Sequence, residues 1–121
     1  MRILLVEDDK FFREFYAFKL KEKNIEVGQA GDGEEALKII PEFKPDLIIL
    51  DLIMPKKDGF ELLKDMSLNP GMSQIPVLVF STLGQQKDVD RAKQLGAKGY
   101  VNKSFFDFDN LLKMILQLIK K

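Results

Sequence analysis

The sequence predicts an α/β fold: a doubly wound parallel sheet of five strands flanked by five helices. Three observations carry that expectation. Short apolar runs, typified by Leu47-Ile48-Ile49-Leu50, have the length and uncharged character of strands buried on both faces. Each run is followed by a longer segment whose apolar residues recur at helical spacing, the alternation that joins parallel strands through right-handed crossovers. Polar residues follow several of the runs: Glu7-Asp8-Asp9 after the first, Asp51 after the third and Ser81-Thr82 after the fourth. In such sheets ligands bind beyond the carboxyl ends of the strands, so this edge is the place to look for chemistry.

The elements follow in order. Arg2 to Val6 forms the first strand, and Asp9 is placed to cap a helix whose Phe11, Phe15 and Phe18 recur at helical spacing and are expected to face the core. Lys19, Lys21 and Lys23 suit the C-terminal end of that helix. Ile25 to Val27 is a short second strand, and Ala30-Gly31-Asp32-Gly33 turns the chain into a helix carrying Ala36, Leu37 and Ile40, which Pro41 and Pro45 are expected to close. The central strand ends at Asp51, a polar loop runs from Pro55 to Gly59, and Phe60 to Met66 is helical until Asn69-Pro70-Gly71. Ile75 to Phe80 is the fourth strand, and a helix bearing Val89, Ala92 and Leu95 follows Gly84. Tyr100 and Val101 form a brief fifth strand leading to Lys103, and Phe105 to Lys120 is the final helix.

Composition narrows the class. A chain of 121 residues, 45% hydrophobic and 31% charged, is expected to be one domain over 1–121 with a single core. Lysine and arginine total 19, as do aspartate and glutamate, so no direct nucleic-acid binding and no anionic membrane surface is expected. The apolar run Ile3 to Val6 is far shorter than a signal-peptide core and is followed by acids, which points to a cytoplasmic protein. The absence of cysteine excludes disulfides and thiolate metal sites. The absence of histidine excludes imidazole catalysis, imidazole ligation and phosphohistidine chemistry within this chain.

The layout brings the polar residues together. Glu7 and Asp8 end strand one, Asp51 ends strand three, Ser81 ends strand four and Lys103 follows strand five, so all lie on one edge of the sheet. With strand order 2-1-3-4-5, strands one and three are neighbours where the order reverses. Three carboxylates so close repel one another unless a hard dication bridges them or one takes up a proton. Mg²⁺ suits the oxygen ligands and leaves positions open for phosphoryl oxygens. A carboxylate beside it could attack phosphorus and form an aspartyl phosphate, with Lys103 and Ser81 as cation and hydroxyl for the product. Taken singly, each residue also has a plain reading as a solvated turn acid, a strand-end hydroxyl or a surface lysine. That reading must place three acids, a hydroxyl and a lysine on one edge by accident.

Four stretches, ILLVEDD at Ile3 to Asp9, AGDGEEAL at Ala30 to Leu37, PDLIILDLIMPKKDGFELL at Pro45 to Leu63 and LGAKGYVNKSF at Leu95 to Phe105, stand in the order and spacing of one family. The chain resembles a response-regulator receiver domain of two-component signalling, flavodoxin-like in fold, over essentially its whole length. The 2-1-3-4-5 strand order belongs to that family, so it is not independent of the resemblance. The resemblance implies that Asp51 is phosphorylated by a histidine kinase or phosphotransfer protein. It implies that Asp8, Asp51 and the backbone carbonyl of Ile53 ligate Mg²⁺, and that Glu7 assists through a water. Ser81 and Lys103 would contact the phosphoryl group, and Tyr100 would be the switch aromatic, moving inward when Ser81 is drawn toward the phosphate. The surface near the fourth and fifth helices would then change its affinity for a downstream target or for a second copy.

Two positions depart from the family pattern. Ser104 stands where a proline usually follows the lysine, often with a cis bond. A cis bond to a non-proline residue costs about 2.5–4 kcal/mol, so either the site holds it or the loop runs trans and Lys103 arrives differently. Ser81 stands where threonine is also common. Ile53 and Leu83, two residues beyond Asp51 and Ser81, flank the path of the attacking water in the family, and both are apolar here, which implies slow loss of the phosphate. The chain ends within or just after its last helix, which suggests a chemotaxis-type stand-alone receiver or the excised receiver of a longer protein. On that helix the apolar residues Leu111 to Ile119 cover an arc of roughly 200°, wider than one sheet face needs, so part is expected to stay exposed.

Two other classes compete. A Mg²⁺-dependent aspartate phosphohydrolase uses a similar nucleophile, but it places a second acid two residues later, where this chain has Ile53. A receiver-like interaction module acting without phosphorylation would not need a complete acid pocket. The expectation is therefore a signalling domain, not an enzyme in the ordinary sense, with at most its own phosphorylation from small phosphodonors and slow autodephosphorylation as catalysis.

Overall fold

The computed structural model describes residues 1–104 and 107–119. The elements run β1 (Arg2–Val6), α1 (Lys10–Lys21), β2 (Glu26–Ala30), α2 (Gly33–Phe43), β3 (Leu47–Leu50), α3 (Gly59–Ser67), β4 (Val77–Ser81), α4 (Gln86–Gln94), β5 (Gly99–Asn102) and α5 (Phe108–Ile119). All strand pairs are parallel and the order is β2-β1-β3-β4-β5.

Side chains alternate across the sheet because successive residues of a strand point to opposite faces. Ile3, Leu5, Leu47, Ile49, Leu78 and Phe80 pack under α1 and α5 with Tyr16, Leu20, Leu111 and Ile115. Leu4, Val6, Ile48, Leu50, Val77 and Val79 face the opposite layer, against Ile40 of α2, Leu62 and Leu63 of α3 and Ala92 of α4. The sheet is thus buried on both faces, as the uncharged strand of Leu47 to Leu50 requires.

Helix α1 is turned differently from the expectation. Asp9 does cap it, its side chain accepting from the N–H of Phe12 at 3.1 Å. The buried face, however, carries Tyr16, Ala17 and Leu20, while Phe11, Phe15 and Phe18 are 78%, 46% and 62% exposed. Two stripes compete on this helix, separated by about 180° of rotation, and the phenylalanine stripe loses. Ala17 and Leu20 share one buried cluster with Ile3, Leu5 and Ile25, and Tyr16 meets Phe80 edge-on at 5.3 Å.

Pro41 does not close α2 but lies inside its last turns. It has no N–H to donate to Leu37 O, so the helix gives up one intrahelical bond there and continues for two more residues. The helix is ended by Lys44 in the left-handed region at φ 53°, its N–H donating to Ile40 O at 2.9 Å. Strand β2 runs Glu26–Ala30 and not Ile25 to Val27: Ile25 precedes it, and Gly28, Gln29 and Ala30, which carry no strand signal, pair with Leu4, Leu5 and Val6. The final helix is described from Phe108, so the expected start at Phe105 and the end at Lys120 lie outside the described residues.

Backbone bonds carry the sheet one step past the strand ends. Asp51 N donates to Val6 O and Lys103 N to Ser81 O, each at 3.0 Å. These bonds bring the residues that follow β1, β3, β4 and β5 to one edge. Gly59 allows the β3–α3 loop to return over that edge, since a Cβ there would sit 2.5 Å from the carbonyl oxygen of Asp51.

Candidate functional site

One carboxylate oxygen from each of Glu7, Asp8 and Asp51 lies within 4.8 Å of the others. Glu7 and Asp51 are buried at the ends of β1 and β3, while Asp8 is exposed at the rim. The ammonium of Lys103 bridges the two buried acids: it donates to Glu7 Oε1 and lies 3.3 Å from Asp51 Oδ2. Its side chain is only 7% exposed.

The remaining lone pairs are partly satisfied by backbone. Glu7 Oε2 accepts from Asp9 N at 3.1 Å, and Asp51 Oδ1 accepts from Ile53 N at 3.4 Å. Burial pushes the Glu7 carboxyl up from its ordinary 4.5 to about 7. The hydrogen bond from Lys103 opposes that shift and the negative charge of Asp51 reinforces it. Burial thus outweighs the lysine, and the Glu7 carboxyl holds its proton further toward neutral pH than an exposed glutamate does.

The donor set fits a hard dication. All three groups are carboxylate oxygens, and the exposure of Asp8 leaves one side open for retained waters, as Mg²⁺ requires. Among the described residues this is the one group of three acids with metal-holding geometry.

Ser81 is fully buried at the end of β4, its Oγ accepting from Leu83 N at 3.3 Å. Tyr100 on β5 is half-buried, and its hydroxyl donates to Leu83 O at 2.6 Å. Burial raises its phenol pKa, with the charges of Asp88 and Asp51 adding to the effect. The loop after β4 is therefore held from both sides through one residue. Of the two apolar residues expected to flank the acid, Ile53 is 55% exposed and Leu83 is half-buried against the core.

The Lys103–Ser104 peptide is trans, as are all described peptide bonds. Lys103 reaches the acids along a path that sequence reasoning did not anticipate: its ammonium lies 4.9 Å from the ring centroid of Phe12 and 5.7 Å from that of Phe80. No spacing in the sequence links residues 12, 80 and 103.

The sequence matches the response regulator receiver domain family over residues 3–116. It is 32% identical over 120 residues to the DNA-binding dual master transcriptional regulator RpaA of Synechocystis, covering 99% of this chain and 49% of that protein. It is 36% identical over 105 residues to the transcriptional regulatory protein PdtaR of Mycobacterium tuberculosis, covering 86% of this chain and 50% of that protein. The chain thus spans about half the length of these curated relatives. Among solved structures, the BeF3-activated receiver domain of Klebsiella pneumoniae RstA superposes with a TM-score of 0.93 at 26% identity, covering 100% of both chains. The receiver domain of the Francisella response regulator 1452 superposes with a TM-score of 0.90 at 31% identity, covering 98% of this chain and 96% of that one. With the sheet order and the acidic edge already in place, the chain belongs to the response regulator receiver domains, the signalling modules of two-component systems.

Proposed function

We propose that Asp51 is the phosphoacceptor of a two-component phosphorelay, and that the whole of 1–121 acts as one receiver domain. A carboxylate oxygen of Asp51 attacks phosphorus, the P–N bond to the imidazole of a histidine kinase or phosphotransfer protein breaks, and the electron pair stays on that imidazole. The observation that carries this reading is the placement of Asp51 at the end of a buried strand, within 4.8 Å of two further carboxylates and in contact with a buried lysine.

Asp8, Asp51 and the carbonyl of Ile53 would hold Mg²⁺, with Glu7 assisting through a water. When bound there, the ion would supply charge neutralisation to the phosphoryl oxygens and to the acids. Lys103 supplies a second cation to the product, and Ser81 a hydroxyl donor once its Oγ turns from Leu83. Because Leu83 also binds Tyr100, that turn loosens the loop after β4, and the α4-β5-α5 face answers by changing its affinity for a downstream target or a second copy. No described helix is long and apolar enough to cross a membrane. We place the protein in the cytoplasm, with no direct nucleic-acid contact from this domain.

The test is intact-mass measurement after incubation with acetyl phosphate. One phosphoryl group should appear only with Mg²⁺ and not in Asp51→Asn. Unchanged mass in folded native protein removes the reading.

A further inference from the structure

Lys103 approaches the acids from a loop that carries no proline at position 104, and its N–H donates to Ser81 O. The groups around its ammonium come from elsewhere in the fold. Phe12 on α1 and Phe80 on β4 lie 4.9 Å and 5.7 Å from it, both within cation–π range. Tyr16 ties the rings into one unit: Phe12 stacks on it at 5.4 Å and 17°, and it meets Phe80 edge-on at 5.3 Å and 89°. An ammonium has three donors. Glu7 and Asp51 engage two of them, and the ring faces exclude water from the same charge without offering a strong competing acceptor.

We infer that Phe12 is a positioning residue for Lys103, and that its ring, backed by Tyr16 and Phe80, sets where the ammonium stands relative to Asp51. The inference rests on the phosphoacceptor reading of Asp51 for its functional consequence, but not for its geometry. Phe12 touches no reacting atom and acts through the lysine alone. Alternatively it is ordinary packing for α1, in which case its loss costs stability without selecting for Lys103.

Two measurements separate these cases. In the unphosphorylated protein, NMR should show the Lys103 side-chain protons next to the ammonium shifted upfield by the ring faces. Phe12→Leu should remove most of that shift, and Phe12→Tyr should keep it. In phosphorylation from acetyl phosphate with Mg²⁺, Phe12→Leu should slow the native rate about fivefold or more, as loss of a desolvated cation–π contact implies. Phe12→Tyr should restore it. In a Lys103→Met background the same Phe12→Leu change should alter the residual rate less than about twofold. Phe12→Met, which keeps volume but removes the ring, serves if Phe12→Leu does not fold. A native rate in the folded variants, or an equal loss with and without Lys103, overturns the positioning role. A native protein that shows the upfield shift but gains no phosphoryl group overturns the phosphoacceptor reading instead.

Discussion

The hydroxyl of Tyr100 donates to the carbonyl oxygen of Leu83 at 2.6 Å, and the N–H of that same Leu83 donates to Ser81 Oγ at 3.3 Å. One peptide segment therefore connects the hydroxyl at the end of β4 to an aromatic ring on β5. Anything that draws Ser81 Oγ toward the acid must break or lengthen its bond to Leu83, and Tyr100 holds the other side of that residue.

Tyr100→Phe should lower stability by about 0.5–1.5 kcal/mol, the net worth of one hydrogen bond. Ser81→Ala and Tyr100→Phe should be non-additive by roughly 0.5 kcal/mol or more in a denaturation cycle, because they share Leu83. Strict additivity would show that the two bonds are independent.

Glu7 gives a pH dependence of definite sign. Its folded pKa of about 7 lies above the ordinary 4.5, so the folded state favours the protonated form. The stability it contributes is full below 4.5 and is lost as pH rises through about 7, at up to roughly 1.4 kcal/mol per pH unit between the two values. Chemical denaturation without Mg²⁺ should show native stability falling across this window and Glu7→Gln flattening the fall. Mg²⁺ favours the ionised carboxyl, so its apparent affinity should rise with pH through the same range. An unchanged slope in Glu7→Gln would assign the dependence to another group.

If Asp51 is the phosphoacceptor proposed above, Ile53 and Leu83, two residues beyond Asp51 and Ser81, bear on phosphate lifetime. Ile53 and Leu83 offer no side chain that could orient a water, so loss of phosphate should be slow. Replacing Ile53→Asn and Leu83→Glu together should speed the decay at least about threefold, as a positioned water gains orientation. Equal decay in the native and double-variant proteins would remove the apolar gate as the controlling feature.

Exposure of the α1 phenylalanines predicts unequal costs along one helix. Phe11→Gln and Phe18→Gln should each shift stability by no more than about 0.5 kcal/mol, as for most surface positions. Leu20→Ala, at a fully buried position, should cost about 2–5 kcal/mol. Comparable losses at positions 11 and 20 would mean that the phenylalanine stripe is in the core after all.

On α5, Leu116 is 45% exposed and Leu112 is half-buried, so the broad apolar arc is only partly covered by the sheet. Phe108 is half-buried against the core, while Phe105 and Phe106 lie outside the described residues. A Leu112→Glu, Leu116→Glu variant should lose the change in self-association or target binding that beryllofluoride produces in the native protein. A folded variant with an unaltered response would exclude this helix as the output face.

Local pattern determined much of this protein. Alternating strand and helix periods specify a parallel sheet, and in a parallel sheet every strand ends on the same side, so the residues written after each apolar run must meet at one edge. Glu7, Asp8, Asp51, Ser81 and Lys103 were legible for that reason, and Asp9 as a helix cap because capping is settled within four residues. Only the tertiary structure decided which stripe of α1 is buried, since Phe11/Phe15/Phe18 and Tyr16/Ala17/Leu20 differ by a rotation that local sequence does not penalise. Fit against Ile3 and Leu5 chose between them. The partners of Lys103 are equally non-local: Glu7 lies 96 positions away, and Phe12 and Phe80 sit on other elements. The raised Glu7 pKa and the Tyr100–Leu83 bond belong to the same class, because burial and hydrogen-bond reach exist only once distant strands are packed.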